Sequence, residues 1–153
     1  MDFYVLTLAL HNLLRWVVLI VGIVTVVLMF MGWFGKRPWT ESSRKWVSYY
    51  AIAMDVNLLV GLLLYFFLSP VTKQVMANFS AAMGGDREFR FFGVEHITMM
   101  IIAVVFAHLA SVFAKRGTTD VKKFRNAALW DLASLAIVLI SIPWWRPFFR
   151  MPF

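Results

Sequence analysis

The chain has 153 residues, 61% of them hydrophobic, and a mean hydropathy of +0.76. Soluble domains are usually nearer half apolar, so lipid is the solvent that suits this composition. The formal net charge is +7 and there is no cysteine, which excludes disulfides, thiolate metal sites, iron–sulfur clusters and covalently attached haem c.

Four apolar runs succeed one another, about 4–34, 46–68, 91–114 and 127–145. Each reaches or approaches the ~20 residues that cross ~30 Å of hydrocarbon as a helix. None alternates with the period of two that a membrane barrel needs. Short connections join them, so residues 1–153 read as one transmembrane domain. The start is not expected to be a cleaved signal peptide: a basic leader is missing, and His11, Asn12 and Arg15 interrupt the apolar stretch.

Between the second and third runs, Ser69–Pro70 is a helix-start signal. Val71, Val75, Met76, Phe79 and Met83 then recur at helical spacing before Gly84–Gly85. The segment 70–83 is expected to be a short helix lying in the interface. The predicted fold is thus all-α: an integral membrane, antiparallel up-down four-helix bundle with one interfacial helix between helices two and three.

The cations lie mostly in the gaps, as topology and headgroup signals rather than a nucleic-acid surface. Nine of them (Lys36, Arg37, Arg44, Lys45, Lys115, Arg116, Lys122, Lys123 and Arg125) fall at one end. The other end has Lys73, Arg87, Arg90, Arg146 and Arg150, offset by Asp86 and Glu88. The positive-inside rule puts the nine in the cytoplasm and both termini in the periplasm of a bacterial inner membrane. Most tryptophans sit near run ends, as interfacial aromatics do.

Polar groups inside a bilayer cost ~2.5–3.5 kcal/mol each on insertion scales, so each needs a reason. Helix rise sorts them into two layers. His11, Asn12 and Arg15 enter early in the first run, and Glu95 and His96 early in the third. Two imidazoles on parallel helices at one depth can ligate a haem iron from both sides. Arg15, Arg87 and Arg90 would then meet the propionates, and Glu95 would orient an imidazole. The same residues also suit a buried ion pair with interhelical hydrogen bonds. A chlorophyll ligated by one histidine, or a zinc or copper site, are further alternatives, the metal site lacking any HExxH-type spacing. In the inner layer, Asp55, His108 and Asp131 suit a proton relay or a quinone pocket, or simple pairing near the cytoplasmic face.

Three segments, LHNLLRW (Leu10 to Trp16), RFFGVEHITMM (Arg90 to Met100) and SIPW (Ser141 to Trp144), together with LLVGLLLYFFLSP (Leu58 to Pro70), carry a resemblance. They resemble a family of small four-helix bacterial membrane proteins, seen in Bacteroidetes-like genomes and labelled cytochrome b. Its members carry an H-x-x-L-R-[WY] start, a VEH segment opening the third helix and an IPW segment ending the fourth. The resemblance spans most of the chain and implies haem b, with the family's polar positions falling on His11, Arg15, Glu95 and His96. Members often have a histidine where this chain has Asp55. The expected function is b-type haem binding for electron transfer, alone or as a subunit of a respiratory or photosynthetic complex, more an electron-transfer or accessory chain than an enzyme by itself. The alternatives are a non-redox accessory subunit that packs lipids and partner helices, and a small proton or ion carrier.

Overall fold

The computed structural model describes residues 2–146; Arg150, one of the outer cations, lies outside them. Among the described residues the chain is helical, with no strand. Helix α1 (Phe3–Phe34) starts at Asp2, whose carboxylate accepts from the Tyr4 N–H at 3.1 Å. Helix α2 (Glu41–Leu63) starts five residues before the expected run. Thr40 caps it by accepting from the Ser43 N–H, a local signal that hydropathy does not register. Helix α2 runs on into a π-helical turn, Leu64–Leu68, closed by a 2.8 Å bond from Ser69 N–H to the Leu64 carbonyl.

The expected interfacial helix is two pieces, α3 (Pro70–Ala77) and α4 (Phe79–Gly84). Ser69 and Pro70 start α3 as the sequence indicates. The break comes at Asn78, whose side chain caps α4 by accepting from the Ala81 N–H; an asparagine that bonds the backbone ahead competes with helix continuation. The face turned inward carries Thr72, Val75 and Ala82 rather than the whole apolar set.

Helix α5 (Arg87–Arg90), a π-helical turn at Phe91–Glu95 and α6 (His96–Lys115) form one continuous rod. Helix α7 (Asp120–Ile140) starts seven residues before the expected fourth run, at a Thr119 cap, and ends five before its expected close. Three rods are long and apolar enough to cross a membrane: Phe3–Phe34, Glu41–Leu68 and Arg87–Lys115. The polar start of α7 and its buried Asp131 and Ser134 keep it out of that set.

Helix α7 packs against α1 and α6, and α2 packs against the same two. Lipid offers helices no hydrophobic drive to associate, so close approach through small residues has to supply the packing. Helix α6 turns Ala103, Ala107, Ala110 and Ala114 inward at helical spacing, opposite Ala127 and Ala128 of α7. Helix α1 contributes Gly22 and Gly32: a methyl added to Gly22 would lie 2.7 Å from the Tyr50 ring, and one added to Gly32 2.2 Å from the Phe124 ring. The lower core gathers Met29, Val47 and Phe124, and the upper core Val18, Tyr50, Met54 and Leu135.

Candidate functional site

Where α1 and α6 begin and α2 and α7 end, the helices enclose a cavity of about 130 Å³. His11, Asn57, Tyr65, His96 and Arg146 line it with Arg15, over walls of Leu58, Met100 and Val138. The two imidazole centroids are 6.3 Å apart and their planes are inclined at 80°.

Each ring is set by its surroundings. His96 comes directly after the π-helical turn, and such turns concentrate at functional sites because the extra residue re-aims the side chains beyond it. His96 Nδ1 lies 2.9 Å from the Ser141 carbonyl, just past the end of α7. A carbonyl only accepts, so in the neutral ring Nδ1 carries the proton and Nε2 keeps its lone pair. Phe91 flanks the same ring at 5.6 Å between centroids. His11 lies against Gly61 of α2: a methyl there would come within 3.2 Å of His11 Cε1. His11 Nδ1 and Asn57 Oδ1 are buried with no hydrogen-bond partner, a costly state for polar atoms away from water.

The roof is woven across the two π turns. Tyr65 donates to the Gly93 carbonyl at 2.7 Å, and Thr72 donates to the Tyr65 carbonyl at 2.7 Å. Gly93 admits Val75 so closely that a methyl there would lie 2.8 Å from Val75 Cγ1. Thus α3 is pinned to both rods, where Val71 and Thr72 line a smaller adjoining cavity that shares His11, Tyr65 and His96.

Of the three cations expected at the cavity, Arg15 is there, and Arg87 and Arg90 are replaced by Arg146. Arg87 stacks on the Trp145 ring at 4.2 Å, and Arg90 pairs with Glu95 at 3.0 Å, half exposed to the outside. Arg87 and Arg90 are therefore engaged away from the cavity. Glu95 also departs from its expected role: it turns outward to Arg90, and a main-chain carbonyl orients His96 instead. The physical cause is angular, because Glu95 and His96 are adjacent and adjacent helical residues point about 100° apart. Arg146 pairs with Glu88 and lies over the Phe92 ring, 4.4 Å from its centroid.

The three inner residues do not form one site. His108 Nε2 lies 2.9 and 3.1 Å from the two oxygens of Asp55, and both side chains are about half exposed on the outer surface of α2 and α6. Asp131 is fully buried, and neither of its carboxyl oxygens has a partner. Beside it in the core, Tyr50 and Ser134 share a 3.0 Å bond and Ser134 donates to the Ala103 carbonyl at 2.7 Å. No group of three or more His, Cys, Asp or Glu that could hold a metal ion occurs among the described residues.

Asn57, Gly61, Tyr65 and Arg146 escape sequence reasoning as site residues. Asn57 left a signal, a lone amide inside an apolar run, and the arginine was visible only as a charge near a terminus. The Ser141 carbonyl leaves none, since every residue has one. Comparison with protein-family models, with curated proteins and with solved structures finds no match.

Proposed function

We propose that this chain is a multi-pass membrane protein that binds haem b between His11 and His96 and passes electrons through it. The observation that carries the reading is the pair of imidazoles 6.3 Å apart at a cavity between the helices. Two imidazole nitrogens that each approach one metal at ~2 Å put their ring centroids roughly 6 Å apart. The donor set suits that role: His96 has its Nδ1 proton committed to Ser141, and His11 has a buried nitrogen without a partner. Arg15 and Arg146 line the same cavity and would compensate the charge of haem propionates. Bound haem would supply one-electron chemistry, and the chain would supply its ligands, an apolar enclosure and charge compensation.

In this reading α7 joins the three apolar rods as a fourth transmembrane helix, its polar groups turned inward. The nine-cation end is cytoplasmic in a bacterial inner membrane, and α3 and α4 lie at the opposite interface. A quinol is the natural donor class on the membrane side.

A second reading, a non-redox accessory subunit, has its own observation. His96 already ties α6 to the end of α7, and Arg146 ties that end to Glu88, so the polar groups also work as interhelical glue. A reduced-minus-oxidised visible spectrum of the chain, expressed with haem supplementation and kept in native membrane discs, decides between them. A b-type band lost in both His11→Ala and His96→Ala supports the haem site. A folded, colourless wild-type protein refutes it and leaves the accessory role.

A further inference from the structure

At the other end of the molecule, about 260 Å³ of open cavity lies between α2, α6 and α7. Arg44, Lys115 and Lys123 line it with Ser48, Ser111 and Trp39. We propose that this cavity binds the phosphodiester headgroup of an anionic phospholipid. The inference is independent of the haem reading.

The three cations come from three helices and meet for local reasons. Arg44 is in the first turn of α2, Lys115 closes α6, and Lys123 is in the first turn of α7. Glu41 holds Arg44 and Asp120 holds Lys123, each three residues back along its own helix. These carboxylates fix the cationic heads and leave donors over, because a guanidinium has five N–H groups and an ammonium three. The tight turn at Gly117 sets the Lys123 stem: a methyl on Gly117 would lie 2.8 Å from Lys123 Cγ.

The ligand class is fixed by the surroundings of these heads. Nine Lys and Arg against two acids, Glu41 and Asp120, occupy this end of the chain, so the local field selects an anion. The floor is apolar: Val47 and Ala114 are buried, and Trp39 packs edge-on against Phe124 at 4.8 Å. A soluble phosphate has no use for such a floor, whereas a phospholipid brings its glycerol and acyl roots to it. The cavity lies at the ends of the apolar rods, the level at which headgroups meet tryptophans, and basic pockets between membrane helices are suited to such headgroups.

The test uses the full chain, delipidated in a mild detergent, with native mass spectrometry read against added phosphatidylglycerol or phosphatidylcholine. Phosphatidylglycerol should bind about thirtyfold more tightly, as two surface cations would give. Lys115→Gln with Lys123→Gln should erase that preference, while Lys73→Gln at the opposite end should leave it intact; far-UV circular dichroism checks that each variant is folded. Equal binding of the two lipids overturns the proposal. So does a preference that survives the double substitution. Displacement of phosphatidylglycerol by an equal concentration of glycerol phosphate overturns it as well, since the site would then belong to a soluble phosphoryl anion.

Discussion

Replacing Gly32 by alanine should destabilise the packed helices by about 2 kcal/mol. The added methyl would lie 2.2, 2.3 and 2.5 Å from three atoms of the Phe124 ring. Ordinary contact begins near 3.4 Å, so helix α1 or the ring must yield by about 1 Å. The ring has nowhere to go, being buried and packed edge-on against Trp39. Overpacking of this kind costs typically ~1–3 kcal/mol, and the gain in helix propensity returns up to ~1 kcal/mol. Taking the upper part of the first range leaves about 2 kcal/mol, close to a thirtyfold shift in the folding equilibrium. Unfolding in mixed micelles by rising SDS fraction, followed by tryptophan fluorescence, measures it. Gly84→Ala is the control, since nothing lies within 4 Å of a methyl there. In a Phe124→Leu background the cost of Gly32→Ala should fall by more than half, because the clash is with the ring. An equal cost in both backgrounds would refute the steric account.

The same assay carries three further expectations. Asp131→Leu should raise stability by about 1–3 kcal/mol, because a buried carboxyl without partners is replaced by an apolar group of the same branched shape; a loss of stability would reveal a partner for that group. Ser134→Ala should cost roughly 0.6–1.7 kcal/mol, the range for hydrogen bonds between membrane helices, since it strips Tyr50 of its 3.0 Å partner. Tyr50→Phe on top of it should then add little, and an additive pair would argue against one shared bond. Tyr65→Phe should cost about as much as Ser134→Ala and should loosen the cavity roof, read as faster amide exchange at Gly93, whose carbonyl Tyr65 holds; unchanged exchange would dissociate the two π turns. For the haem reading, Gly61→Leu should weaken or abolish a b-type band by crowding His11, while Leu59→Ala, on the exposed side of the same helix, should leave it alone.

The sequence by itself determined the solvent and the linear order. Hydropathy is a property of composition within a window, so three of the four expected apolar runs, their approximate ends and the asymmetry of the cations could be read without coordinates, whereas the fourth run belongs to a helix, α7, that is not long and apolar enough to join them. Depth was legible too, because helix rise is constant: His11 and His96 were expected at one level, and their rings lie 6.3 Å apart. Direction around each helix was not legible. The π turns at 64–68 and 91–95 shift the angular register of everything beyond them, and no composition signal marks them. Only the tertiary structure decided that Arg146 joins the expected Arg15 at the cavity while Arg87 and Arg90 do not. It likewise decided that Asp131 is buried apart from the outward-facing Asp55–His108 pair. A backbone carbonyl orients His96 in place of Glu95, because hydrogen bonding is settled by which groups arrive within about 3 Å, and that depends on how the helices pack.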